Sequence, residues 1–341
     1  MKVVYIITSR NESILHIGST LHSMGIEGVM VPTDSFHTTC AYWEHKLDKW
    51  GFHGRRDSYI ARQSRQIMET IDREAPEAVL FVNIGNVHHI IDYVRDLPNR
   101  CYLSMYMVDS IQDNPQEVEV VDFPGNHLFV YEYGDVEYLQ NFGVAATYCP
   151  VGYNSDYLVA GREAKDLDVV FVGSPTGRRM EYLHRLAQVG QERAWRMLFV
   201  GPFYEDRYFW KKMAFRLKHS ALYRYSRNGS LPPCKVAELY SRAKICLNIQ
   251  GNDGGNLNPR TFEIMAAGGF ELISRHRDYY GLVEPGRDLA DFAGIDEMLT
   301  KTAYYLEHDE ERIQIAASAS NTVRGRLSME ESLRTVLGLI Q

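Results

Sequence analysis

The chain has 341 residues, 45% of them hydrophobic, and a formal net charge of -7. This length predicts two domains of roughly 150 residues each rather than one, and the acidic balance argues against a general nucleic-acid binder, which would carry an overall basic domain. Five cysteines, at positions 40, 101, 149, 234 and 246, form an odd set with no C-x-x-C pair, which favours reduced thiols in a cytosolic protein over a disulfide framework.

Residues 3–8 read as a buried strand, an apolar run too short for a signal peptide. No later run is long enough to cross a bilayer, so a soluble, cytoplasmic protein is expected. A polar turn over 9–13 leads to a helix with Ile14, Leu15, Ile17, Leu21 and Met24 at helical spacing, ended by Gly25. A strand follows at 28–31, closed by Pro32. Residues 36–50 are rich in aromatics and His, and 57–73 have helical periodicity. The next strand is 78–82, with a polar turn at 83–86 and a helix over 88–94. Runs at 101–108 and 127–131, a helix near 135–141 and a short strand at 145–148 complete the first half. Strands that are nearly all apolar and alternate with helices signal a parallel sheet covered on both faces.

Residues 153–166 are polar and irregular, and read as an interdomain linker. The pattern then restarts at 168–173, repeats at 197–201, and continues with strands at 244–249 and 289–292. Amphipathic helices run from Ile295 onward and the chain finishes in a last helical segment over 328–340. Two Rossmann-like halves are the economical reading.

Ligands of such sheets bind outside the carboxyl ends of the strands, so the turns there carry the chemistry. The most loaded stretch is 258–273, where a loop opens a short helix that ends in small residues and feeds a strand. Asn258 precedes Pro259, which suits the first helical position. The helix start would present partial positive charge to an anion. Arg260 lies there and Glu263 about one turn on. Arg260 would meet phosphate and Glu263 ribose hydroxyls; otherwise the two are a surface i, i+3 ion pair. A second turn, Gly173, Ser174, Pro175, Thr176, Gly177, Arg178 and Arg179, puts glycine, hydroxyls and two arginines where a diphosphate would sit. It is neither G-x-G-x-x-G nor a P-loop, so the NAD and ATP fingerprints are both absent.

Residues 207–227 hold seven Lys/Arg and no acid, interleaved with Tyr208, Phe209, Trp210, Phe215, Tyr223 and Tyr225. Such a run binds phosphates or anionic lipids, or is simply a solvated face; peripheral membrane contact is the partner it suggests. In the first half Glu12, His16, His88, His89, Asp109 and Glu132 lie near strand ends, where a general base could act. His37, Cys40, His88 and His89 lack a full metal-ligand set. Asp135 and Glu137 are spaced like a cation-binding acidic triplet, but the helix start explains Asp135 as a cap.

Several separated segments (168–174, 243–249, 258–270 and 303–312) resemble, in order, the C-terminal half of the CgeB-like glycosyltransferases of the spore-maturation type. The resemblance covers residues from about 168 to the end; residues 107–109 and 130–150 match the N-terminal domain only loosely. It implies the GT-B architecture, α/β, with two Rossmann-like domains facing across a cleft. Residues 1–155 would be the acceptor domain, 156–320 the nucleotide-sugar donor domain, and 321–341 a helix crossing back to the first. It further implies a sugar transferred from a nucleoside diphosphate sugar, with UDP favoured, to a hydroxyl of a glycan, protein or small molecule. Glu263 would bind the ribose, Arg260 with Gly173, Ser174, Arg178 and Arg179 would face the diphosphate, and Gly229 and Ser230 would lie near the base. No cofactor is expected to be tightly bound and metal is expected to be dispensable, with cations and helix N-termini stabilising the leaving diphosphate. One departure is Gly255, eight positions before Glu263, where retaining members often have a carboxylate. An inverting reaction would need a base in the first domain, with Asp109, His16 and Glu12 the candidates in that order. A nucleotide-sugar epimerase or a non-catalytic coat-associated protein of the same fold are the alternatives.

Overall fold

The computed structural model describes residues 1–8, 12, 15–33, 55–83, 88–97, 101–112, 127–159, 164–175, 177–250, 257–276 and 279–339. The aromatic and His-rich segment 36–50, most of the turn 9–13, Thr176 and Gly255 lie outside them, as do the side chains of His88 and His89. Contacts divide the chain into two compact units, Met1–Val151 with Met329–Gln341, and Gly152–Ser328.

The first unit contains β1 (Lys2–Ile7), α1 (Ile17–Ser23), β2 (Glu27–Pro32), α2 (Arg55–Glu74), β3 (Ala78–Val82), α3 (His88–Arg95), β4 (Tyr102–Met107), β5 (Leu128–Val130), α4 (Tyr133–Gln140) and β6 (Thr147–Tyr148). Its six strands are parallel in the order β2-β1-β3-β4-β5-β6. Apolar residues on both sides of a strand are what a doubly covered sheet requires. Val4, Ile6, Val79 and Phe81 enter one core, while Val3, Tyr5, Ile7, Ala78, Leu80 and Val82 enter the other.

The second unit holds β7 (Leu167–Val172), α5 (Arg178–Glu192), β8 (Met197–Gly201), α6 (Phe209–Lys218), α7 (Ser220–Tyr225), β9 (Ser226–Asn228), α8 (Pro233–Arg242), β10 (Ala243–Asn248), α9 (Pro259–Ala266), β11 (Glu271–Ser274), β12 (Ala290–Phe292), α10 (Ile295–Glu307) and α11 (Asp309–Val323). Its parallel order is β12-β11-β10-β7-β8-β9. The same alternation appears: Val169, Phe171, Ile245, Leu247 and Leu272 face one core, and Val170, Cys246 and Ile273 the other. The final helix, α12 (Met329–Val336), packs Met329, Leu333 and Val336 into the core of the first sheet, and Ser332 Oγ donates to the Pro150 carbonyl over 2.7 Å.

Two local readings change. The segment expected as a linker is partly core: Tyr153 and Tyr157 are buried with the second sheet's residues, and Tyr153 bridges Ser328. Burial of the two aromatic rings outweighs the polar composition of their neighbours. Asp135 lies in the first turn of α4 but does not cap its own helix. It is fully buried and accepts from Ile111 N at 2.8 Å and Gln112 Nε2 at 3.1 Å, so it ties down the turn after β4.

Candidate functional site

The carboxyl end of the second sheet gathers most of the chemistry. Here β7, β8 and β9 each end at or next to a glycine, Gly173, Gly201 and Gly229. A Cβ on Gly201 would lie 2.1 Å from the Gly173 carbonyl oxygen, so the first two turns meet backbone to backbone. Gly229 N donates to Gly201 O over 3.0 Å, which brings the third alongside. Ser174 and Ser230 are exposed on this rim.

α9 enters next to the same rim. Pro259 stands in its first turn, after Asn258 in extended conformation. At its other end Gly268, at φ 72°, takes the left-handed position, and Gly268 N and Gly269 N close on Met265 O and Ile264 O. That Schellman pairing stops the helix after eight residues and releases the chain into β11. The consequence is a short helix with a fixed N-terminus, whose partial positive charge is suited to an anion.

Arg260 projects from that start onto Gly173, where its guanidinium nitrogen would lie 3.3 Å from an added Cβ. Arg179, in the first turn of α5, donates from Nε to Ile249 O at 2.7 Å and from a terminal nitrogen to Ser174 O at 3.1 Å. Both acceptors are carbonyls, so its charge is held in place without being cancelled. Burial, and then the Arg260 cation, pull Arg179 below the ordinary guanidinium value. Two cations pressed together at the ends of β7 and β10 are an electrostatic cost that a bound anion would remove. Arg178 is engaged elsewhere, donating to Tyr182 Oη one turn along its helix at 2.9 Å.

Glu263 follows one turn after Arg260. Burial raises its carboxyl above the usual range, against the opposing pull of Arg260 and of a hydrogen bond from Tyr157. The residue nonetheless keeps part of its surface accessible. Tyr157 in turn stacks near Tyr240, ring centroids 6.5 Å apart. Behind the helix lies a polar network. Asn248 Nδ2 donates to Glu271 Oε1 at 2.8 Å and approaches Asn258 Oδ1 at 3.1 Å; Thr261 Oγ1 donates to the same Glu271 oxygen at 3.0 Å. Burial pushes the Glu271 carboxyl up to about 7, while Oε2 finds no partner among the described residues. Asn258 is therefore turned toward β10 and the network. Sequence reading missed Tyr157, Asn248 and Glu271. The last two leave a trace, as polar residues inside otherwise apolar strand runs.

The candidates of the first unit fall into two groups. Glu12 Oε1 accepts from Gly18 N at 2.8 Å, and burial raises its carboxyl, whereas the nearby His16 cation would lower it. His16 itself is at φ 53° just before α1, a strained backbone for a non-glycine residue. Glu12 Oε2 and His16 Nε2 are buried and unpartnered among the described residues. Asp109 lies apart, exposed after β4 and bonded by Asn83 Nδ2, whose own Oδ1 accepts from Val108 N at 2.9 Å. Among the described residues no group of three or more His, Cys, Asp or Glu could hold a metal ion, and no helix is long and apolar enough to cross a membrane. Cys101, Cys149, Cys234 and Cys246 are free.

Residues 178–338 match the family described as Glycosyl transferase-like. No curated protein matches the sequence. Among solved structures, a glycosyltransferase from Rickettsia africae is 11% identical with a TM-score of 0.67, covering 99% of this chain and 97% of its own. Sucrose-phosphate synthase from Thermosynechococcus elongatus is 11% identical with a TM-score of 0.67, at 98% and 97% coverage. HepE from Anabaena, in complex with UDP-glucose, is 12% identical with a TM-score of 0.66, covering 99% of both chains. The fold is that of the GT-B glycosyltransferases, two Rossmann-like domains, and the matched domain sets the class of the chain as a glycosyltransferase.

Proposed function

We propose that the protein transfers a sugar from a UDP-sugar to a hydroxyl acceptor, and that it is of the CgeB-like type. The observation that carries the donor assignment is the convergence of Arg179 and Arg260 on the Gly173 turn at the N-terminus of α9. Two guanidiniums beside the positive end of a helix are what a diphosphate needs, and they stabilise charge that develops on the leaving group. Glu263, one turn on, accepts from the two ribose hydroxyls, held by Tyr157. Gly229 and Ser230 border the nucleobase, where a Cβ added to Gly229 would meet nothing within 4 Å, which leaves room for a planar ring. Asn258 fixes the loop before Arg260 through Asn248 rather than touching the donor. Arg178 supports the rim through Tyr182.

The leaving diphosphate is neutralised by these cations without a bound metal. For an inverting transfer the acceptor proton goes to a base of the first unit. Glu12 with His16 is placed ahead of Asp109, because burial raises the Glu12 carboxyl, which brings a carboxylate nearer the proton affinity a base requires, whereas Asp109 is exposed and already held by Asn83.

The test is a thermal-shift and calorimetric screen against UDP, GDP, dTDP and their sugars, followed by donor turnover with and without acceptors. A ligand that binds the folded state alone raises its apparent stability. Stabilisation by UDP or a UDP-sugar and EDTA-resistant release of UDP are expected. No nucleotide binding and no donor turnover across the panel would overturn the assignment, and sugar isomerisation without acceptor would replace it with an epimerase.

A further inference from the structure

The three most exposed large apolar side chains among the described residues all lie on one helix: Leu217 is 80% accessible, Phe209 73% and Trp210 64%. That helix is α6, which is anchored by Phe215. Phe215 is buried and packs its ring against Phe203 at 5.8 Å, Tyr204 at 5.5 Å and His219 at 5.1 Å. At about 100° per residue, Phe209, Met213 and Leu217 fall one above another at i, i+4 and i+8 with Trp210 beside them, and Phe215 points the opposite way. The helix has two apolar faces, one used by the core and one turned to solvent. Scattered exposed apolar residues need no explanation, but a contiguous stripe of large ones marks an interaction surface.

The charge around the stripe identifies what covers it. Lys212 and Arg216 flank one side and Lys211 and Lys218 the other, all exposed. Lys211 is paired with Glu205, and Arg216 lies over the Tyr223 ring at 5.7 Å. Asp206 is taken by Asn228 Nδ2 at 2.7 Å. Arg207, Lys212 and Lys218 add to the same field, in a chain whose net charge is -7. A second copy docking on this face would set cation against cation. An anionic bilayer offers the complement: acyl chains for Phe209, Trp210 and Leu217, an interface for the indole, and headgroups for amines whose long stems can reach past the apolar stripe.

We propose that the outward face of α6 docks the protein on anionic membrane surfaces. The helix lies in the plane of the headgroups and does not span the bilayer. A glycosyltransferase held in this way works on acceptors presented at that surface, but the docking itself does not depend on which sugar is transferred.

The experiment is sedimentation of the full chain with vesicles of phosphatidylcholine alone and of phosphatidylcholine mixed with phosphatidylglycerol, at low and high salt. Binding to the mixed vesicles that weakens with salt is expected, with at least about a tenfold loss in the triple variant Phe209→Ser, Trp210→Ser and Leu217→Ser. The pair Lys212→Glu and Arg216→Glu should lose the preference for anionic lipid. Brominated acyl chains should quench the fluorescence of the wild type more than that of Trp210→Phe. Retained thermal unfolding temperatures show that these surface variants fold. No vesicle binding by the wild type, equal binding by the triple variant, or a dimer that the triple variant abolishes would each overturn the proposal.

Discussion

The carboxyl ends of the two sheets offer similar strand-end turns but hold their polar groups differently. In the second unit, Arg179, Arg260, Glu263, Asn248 and Glu271 come from four separate elements and are fixed by long-range contacts, Asn248 to Glu271 across two strands among them. In the first unit, Glu12 and His16 form one local pair, and Asp109 is met only by Asn83 from the end of the neighbouring strand β3, so two small pairs stand where the second unit builds one network. A site whose charges are held before the ligand arrives spends less binding energy on ordering them. Donor recognition is the task such a pre-built site suits, while the first unit contributes single groups.

The largest effect that would sharpen this contrast is at Arg260. Arg260→Ala should weaken UDP binding by about 3 kcal/mol, the loss of a charge-assisted pair in a low-dielectric site, and so by more than about 100-fold in calorimetry. Arg260→Lys should recover only part, since an ammonium lacks the guanidinium fork. Unchanged affinity in Arg260→Ala would break the assignment.

Next is Glu271, whose carboxyl stands at about 7 in the folded protein against an ordinary 4.5. The folded state then holds a proton that the unfolded chain releases. The Glu271 contribution to stability is therefore greatest below about 4.5, falls as pH rises toward 7 and levels off above it, on the order of 3 kcal/mol in all. In Glu271→Gln that part of the pH slope should vanish from denaturant unfolding curves. An unaltered slope would mean that the buried network is not protonated on folding.

A smaller change is expected for Asn258→Ala, about 1 kcal/mol of stability in urea unfolding for one lost hydrogen-bonded pair, with weaker UDP binding as the loop before Arg260 loosens. The smallest effect on donor affinity should come from Glu12→Gln, within about 0.5 kcal/mol of wild type, while transfer to acceptor falls and its pH profile loses the limb set by that carboxyl. A large loss of UDP binding in Glu12→Gln would erase the distinction between the two sheets.

Nearly all strands of both sheets were legible in the sequence, because a doubly covered parallel strand must be apolar on both sides, and runs such as 78–82 and 197–201 admit little else. Less legible was β9, a three-residue strand, Ser226–Asn228, at the end of the basic run. It has no apolar pattern and is defined only by its pairing with β8. The arginines and Glu263 were legible as candidates because glycine, proline and charge cluster in turns after strands. Their partners were not, since Tyr157, Asn248 and Glu271 lie 106, 15 and 8 positions from Glu263 along the chain.

The sequence by itself determined the alternation of strands and helices, the two-unit plan and the residue types at the strand ends, because these follow from local periodicity and turn chemistry. Only the tertiary structure decided that Arg179 and Arg260 meet at Gly173, that Arg178 turns away to Tyr182, that Glu271 is buried with a raised proton affinity, and that one face of α6 is left to solvent. Periodicity marks which residues are apolar, but which apolar faces find a partner, and which charges are brought together, depends on packing between segments far apart in the chain.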